Sequence, residues 1–295
     1  MNTEVKMHKN KHKFKPYKIF VYLALFLFAL SIIVPIAWVF MASLKTETEL
    51  MSGNPFALPQ EPIWDNYVNA WYKAHMGDYV FNSFFVTFVA LALLLLIALP
   101  AAYAIARYDF KGRKFLNGLF MAGLFININY IALAIYLLFF NVEVDLNIPD
   151  TLLNNKFVLA LIYAVTALPF TIYLLASYFR TIPKDYEDAA SIDGCGHFQT
   201  MVRIMFPMAK SSIITVIMFQ FLTFWNEYIL AFYFLSKDNA TLPVGLKYLM
   251  ADLRSQSETG VMYAGLVMAM LPVLVLYLIV QNRMVEGLSS GGIKG

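Results

Sequence analysis

The chain has 295 residues, of which 60% are hydrophobic and 14% charged, with a formal net charge of +3 and a mean hydropathy of +0.63. An apolar excess of this size is not that of a water-soluble enzyme or binding domain of the same length, and it implies a membrane protein. The single cysteine, Cys195, excludes a disulfide within the chain; in its polar setting it reads as a thiol in a reducing compartment or as a small packed residue.

A helix needs roughly 20 apolar residues to cross about 30 Å of hydrocarbon. The qualifying runs, in chain order, are 17–41, 80–106, 115–140, 157–179, 212–235 and 260–282. They are continuous, as in "LALLLLIALPAAYAIA" and "LPVLVLYLIV", so helices and not alternating barrel strands do the spanning. The expected fold class is all-α and polytopic, with about six transmembrane helices. Lys6, Lys9, Lys11, Lys13, Lys15 and Lys18 surround the start of the first run. That run is longer than a signal-peptide core and no clean small-residue cleavage site follows it, so it is expected to be retained.

Charge bias orients the spans. Loop 44–79 has Lys45 and Lys73 against Glu47, Glu49, Glu61, Asp65 and Asp78, whereas "RYDFKGRK" has Arg107, Lys111, Arg113 and Lys114 against Asp109. The next loop, "NVEVDLNIPDTLLNNK", is again acidic. Both termini are therefore expected in the cytoplasm, together with the polar loop between the fourth and fifth runs. The expected organisation is a basic segment 1–16, a first helix and external loop 17–79, a core of five spans 80–283, and a glycine-rich tail 284–295.

The polar loop reads "DYEDAASIDGCGHFQTMVRIMFP". Pro183 suits the first position of a helix, and Asp185, Glu187 and Asp188 complement the positive end of the helix dipole. Gly194 is placed to end that helix in the left-handed conformation. A second helix is expected from His197 to Met205, ended by Pro207. Two capped helices are more than a plain connector needs.

Asp188, Ala189, Ala190, Gly194, Ile204, Phe206 and Pro207 stand at the spacings of E-A-A-x(3)-G-x(9)-I-x-L-P. The stretch thereby resembles the cytoplasmic signature of binding-protein-dependent ABC importer permeases, departing from it with Asp at 188 and Phe at 206. Further on, "TFWNEYILAFYFL", "TLPVGL" and "LPVLVLYLIVQNRMVEGLSSGGIKG" resemble the C-terminal third of the carbohydrate-uptake permeases of the maltose and multiple-sugar group, in particular their smaller permease subunit. The resemblance implies a type I importer fold in a bacterial inner or plasma membrane. It also implies a heterodimer with a second permease, two ATPase subunits that hold the ATP and Mg, an extracellular solute-binding protein, and a sugar substrate. No cofactor is expected in this chain itself, nor a nucleic-acid partner.

By the same resemblance, the loop at about 181–210 is a coupling helix docked on the ATPase through Glu187, Asp188, Ala189, Ala190, Asp193, Gly194, Ile204 and Pro207. Which of Glu187 and Asp188 makes the main contact stays open. The tail residues Gly291, Gly292, Lys294 and Gly295 would lie along the ATPase interface. Leu242, Pro243, Val244 and Gly245, in the external loop between the fifth and sixth runs, would help to contact the binding protein.

The chain has no G-x-x-x-x-G-K-[ST] phosphate loop and no H-E-x-x-H, and His8, His12, His75 and His197 are too scattered for a metal site. Nothing here would carry an enzyme. The polar and aromatic residues Asn127, Asn129, Gln220, Trp225, Asn226 and Glu227 fall inside apolar runs, where polar groups commonly face a bundle interior or a water path. They are the candidates for a translocation path, with a structural hydrogen bond as the plainer role for Glu227. Two rivals remain at this point: a permease for a non-sugar solute, and a stand-alone secondary transporter. Against the second, no paired half-repeat is visible and only one intramembrane carboxylate is clear.

Overall fold

The computed structural model describes residues 17–52, 54–72, 75–254 and 258–291, among which every regular element is helical. The first helix, α1 (Tyr17–Ala42), is exposed from Tyr17 to Pro35, as suits a helix that is apolar all round and meets lipid. Its far end is held by a small cap made of α2 (Glu47–Ser52) and α3 (Asp65–Tyr72). The Trp38 indole donates to the Pro55 carbonyl at 2.8 Å, and the Glu47 carboxylate accepts from both the backbone N–H and the hydroxyl of Thr259 at 2.8 Å. The acidic loop after the first span is therefore a packed structure over the start of the last helix.

Two long helices form the centre: α4 (Met76–Arg107) and α7 (Lys156–Thr181). The 32 residues of α4 extend about 48 Å at 1.5 Å per residue, well beyond the ~30 Å hydrocarbon layer. Ala90, Ala98, Ala102 and Ala106 on α4 and Ala160, Ala164 and Ala176 on α7 are all buried. Small residues on facing helices let the backbones approach closely, which matters where lipid removes the hydrophobic drive between helices. The two run parallel. Lys156 Nζ, at the start of α7, donates to Asn82 near the start of α4 at 2.8 Å, and Arg107, at the end of α4, donates to the carbonyl of Ile182 just past α7.

Parallel neighbours require one crossing between them, and here the expected third span departs from a single helix. It divides into α5 (Arg113–Gly123) and α6 (Ile128–Leu146). Asn127 starts α6 by accepting the Asn129 N–H at 3.0 Å. The helix also continues to Leu146 and does not stop near 140, because the acids there do not break it. Buried Glu143 accepts the N–H groups of Leu152 and Leu153 at 2.6 and 2.7 Å, and the turn comes at Asn147, with φ 52°.

The expected fifth span is broken too, into α11 (Lys210–Trp225) and α12 (Ile229–Phe234). The segment after it, expected as an external connector, is instead α13 (Leu242–Arg254), packed against α4 and against α14 (Thr259–Gly291). Leu242 and Val244 are 1% and 0% exposed, and a Cβ on Gly245 would lie 2.1 Å from the Tyr79 ring.

Loop contacts sort into two ends of the molecule. At one end, Asn82 near the start of α4 bonds the Ala240 carbonyl at 3.1 Å, and the Asn154 N–H donates to the Phe234 carbonyl at 2.7 Å. At the other, the ring of Tyr108 stands edge-on to that of His197 at 5.6 Å. The basic "RYDFKGRK" connection and the polar signature loop thus share a face, and the acidic loops share the opposite one.

Candidate functional site

The signature loop leaves α7 at Ile182, and α8 (Asp185–Ile192) begins two residues after Pro183. Pro183 accordingly sits ahead of the helix and not at its first position. The Lys184 carbonyl accepts the first turn's N–H groups from Glu187 and Asp188, at 2.8 and 3.1 Å. The end of α8 follows the glycine rule. Gly194 has φ +78°, its N–H donates to the Ser191 carbonyl at 3.1 Å, and the Cys195 N–H reaches the Ala190 carbonyl at 2.9 Å. That pair of bonds is a Schellman cap, which satisfies carbonyls the helix would otherwise leave open. Cys195 itself is free and half-buried.

The next segment differs from expectation. The chain is helical from His197 to Met208, as α9 (His197–Thr200), a π-helical stretch (Met201–Met205) and α10 (Phe206–Met208). Pro207 lies within this run and does not end it. Having no N–H, it cannot serve the carbonyl four residues back. The widened turn just before it, in which the Phe206 N–H donates to the Met201 carbonyl, accommodates the proline. The direction changes two residues later, where α11 departs at 75°.

The loop has an inner and an outer face. Ala190 is 2% exposed, so its side chain packs inward and is unavailable to a partner in this conformation; Ile204 is half-buried. Asp188, Ala189, Asp193, Gly194 and Pro207 are exposed. Between Glu187 and Asp188 the division is clear. Glu187 turns inward, accepting from the Tyr103 hydroxyl at 2.7 Å and lying 3.4 Å from Arg107 Nε, while Asp188 faces outward. Sequence reasoning missed Tyr103, counted Arg107 only as a loop charge, and gave no role to the exposed Phe198 and Ile192, which are 72% and 86% open. An arginine that ends a long span was the readable signal for the inner contact.

A second feature is a half-open pocket between the helices. A cavity of about 370 Å³ is lined by Gln220 and Glu227, by Tyr163 and Thr166 of α7, and by residues at both helix breaks, Ile126 and Leu230 among them. Glu227 accepts from the Tyr163 hydroxyl at 2.5 Å and from the N–H groups of Leu230 and Ala231 at 2.8 and 3.1 Å. From the position just before the N-cap residue Tyr228 it takes up two first-turn N–H groups of α12, a structural hydrogen-bonding role, and it sits on the cavity as well. Gln220 donates to the Thr171 hydroxyl at 3.2 Å. Irregular backbone at membrane depth is tolerated where side chains take up the freed groups and where it borders a cavity.

The other path candidates separate from these. Asn226 is exposed and its amide donates to the Leu222 carbonyl at 2.8 Å. Asn127 and Asn129 are exposed at the start of α6, where Asn127 caps the helix. Trp225 is 2% exposed, with its indole packed on Phe84 and Phe221 and donating to the Ala269 carbonyl at 3.4 Å, so in this conformation it sits in the packed core. Leu242, Val244 and Gly245 are likewise buried, and of the four residues assigned to the binding protein only Pro243 has, in this conformation, a half-open surface to offer a partner. Gly292, Lys294 and Gly295 lie outside the described residues, as do the surroundings of Gly291.

Comparison with known proteins places this architecture. Residues 95–287 match the family model described as the binding-protein-dependent transport system inner membrane component. The chain is 36% identical over 268 residues to a diacetylchitobiose uptake system permease of Streptomyces coelicolor, covering 90% of this chain and 86% of that one. It is 35% identical to a sulfoquinovosyl glycerol transport system permease of Agrobacterium fabrum, covering 88% of each. A crystal structure of a bacterial ABC transporter that imports the acidic polysaccharide alginate superposes on 90% of this chain and 95% of its own, with a TM-score of 0.76 and 25% identity. An all-helical bundle with a capped signature loop, matched over most of its length to these permeases, belongs to the family of binding-protein-dependent transport system inner membrane components.

Proposed function

We propose that this chain is the smaller permease subunit of an ATP-driven oligosaccharide importer, paired with a second permease, two cytoplasmic ATPase subunits and an extracellular binding protein. The observation that carries the reading is the outward face of the signature loop. Asp188, Ala189 and Gly194 are exposed there, as are the apolar side chains of Ile192 and Phe198, which a docked partner would take out of water. The positive-inside bias puts that face, and both termini, in the cytoplasm.

On this reading the solute passes along the cavity bordered by Gln220 and Glu227, where two interrupted helices meet, an arrangement common at transporter binding sites. ATP and Mg belong to the partner ATPase. Closing the ATPase dimer moves the loop, and the membrane helices follow. Such coupling needs the loop to dock differently in the two states, since equal docking shifts no equilibrium. The saccharide class rests on relatives that are permeases for diacetylchitobiose and sulfoquinovosyl glycerol.

The test is ATP hydrolysis by the reconstituted complex as binding protein loaded with each of a panel of oligosaccharides is added. Stimulation by one loaded form is expected. A complex that hydrolyses ATP but answers only to a non-sugar solute would remove the saccharide assignment, and failure of any ATPase to associate would remove the importer reading.

A further inference from the structure

The end of α4 is pinned to α8 by polar groups that are nearly all out of solvent. Arg107 is the last residue of α4, with a side chain 5% exposed, and its Nε stands 3.4 Å from Glu187 Oε1 while its other arm donates to the Ile182 carbonyl at 2.5 Å. Its buried Nε makes no hydrogen bond of its own, so Glu187 provides the charge opposite it. One helical turn earlier on the same face, Tyr103 donates its hydroxyl to that same Oε1 at 2.7 Å. The tyrosine ring is clamped edge-on between Phe179 of α7 and Tyr108, at 5.6 and 5.5 Å.

Chain connectivity ties α8 to α7, through the short 182–184 link, and to α9, through 193–196. It does not tie α8 to α4, which lies some eighty residues earlier. The Glu187 carboxylate supplies that missing connection, and it does so where little water competes, so its contacts are directional and strong. The outward neighbours Asp188 and Ala189 are left free for a partner. Two consecutive acids thus hold different posts.

We propose that Glu187 is a positioning residue which makes α8 and the last turn of α4 move as one body, so that displacement of the loop is delivered to the α4–α7 pair and not to α7 alone. Tyr103 and Arg107 are its two anchors. This inference rests on the reading that the outer face of α8 docks the ATPase.

The experiment uses the whole complex, reconstituted with its ATPase and binding protein. The variants are Tyr103→Phe, which keeps the ring contacts and deletes one bond, and the pair Arg107→Cys with Glu187→Cys in a Cys195→Ser background. ATPase retention and the ratio of stimulated to unstimulated hydrolysis are both read. In Tyr103→Phe and in the reduced cysteine pair, the ATPase should remain bound while the stimulation ratio falls about fivefold or more. Joining the two cysteines with a short bis-maleimide, which adds one thiol across each of its double bonds, should restore it. An unchanged ratio in both variants would overturn the proposal. So would a linker that blocks stimulation, since the two ends would then have to separate, and so would loss of the ATPase from the variants alone, which would make Glu187 a docking contact. If the wild-type chain itself holds no ATPase, the docking reading falls and takes the latch with it; if every variant holds it at full stimulation, only the latch falls.

Discussion

Replacing Gly194 by valine tests whether the signature loop works through its shape. At φ +78° this residue occupies the left-handed region, and a Cβ built there meets nothing within 4 Å. No collision is involved, so the whole cost is conformational: about 1–2 kcal/mol for an L-residue held there, with β-branching adding to it. The alternative is to let the cap go and lose the Gly194 and Cys195 hydrogen bonds at 3.1 and 2.9 Å, each contributing about 0.5–1.5 kcal/mol net. The first route shifts the loop's equilibrium by a factor of roughly 5–30, and the second, about 1–3 kcal/mol in all, by roughly 5–150. The chain should still insert, because nothing in the bundle core depends on this side chain. ATP-dependent uptake in liposomes, with the partner subunits supplied, should fall in the order Asn, Ala, Val, since asparagine tolerates the left-handed region best. Wild-type uptake by Gly194→Val would refute the reasoning, and so would an asparagine variant as impaired as the valine one, for the backbone conformation would then not be the cause.

Three further outcomes are expected. Glu227→Ala removes the acceptor of the buried Tyr163 hydroxyl and of two N–H groups, and should cost at least about 1–3 kcal/mol in thermal denaturation; adding Tyr163→Phe should recover part of it, and no recovery would contradict a stranded Tyr163 hydroxyl as part of the cost. Gly245→Ala drives a methyl to 2.1 Å from the Tyr79 ring and should destabilise by about 1–3 kcal/mol, with Tyr79→Leu in the same chain relieving the loss in the same assay. The N–H groups of Gln60 and Thr46 hold the Glu49 carboxyl below the usual glutamate range. A lowered folded pKa contributes stability above the unfolded value that disappears as pH falls through the folded one. Proteolysis within 46–60 should therefore rise on acidification below the ordinary glutamate pKa, and a Glu49→Gln chain that kept the same pH dependence would rule this out.

The membrane class, the approximate positions of six apolar runs and the glycine that ends α8 were legible in the sequence, because each depends on a short stretch. Twenty apolar residues need a bilayer whatever surrounds them, and Gly194 can cap a helix by virtue of lacking a Cβ. Relative sidedness was legible for a similar reason, since charge accumulates locally in loops. The breaks in the third and fifth runs were not. Whether "FININ" or "WNEY" interrupts a helix depends on who meets the freed backbone groups, and for Glu227 part of that answer is Tyr163, distant in the chain. The same holds for "TLPVGL", which reads as an exposed turn until Tyr79 packs on Gly245. Glu187 and Asp188 are neighbours of the same charge, and no local rule separates them. Only when α4 arrives alongside α7, with Tyr103 and Arg107 at its end, does one carboxylate become an internal tie and the other a surface, because burial and partnership belong to the assembled bundle.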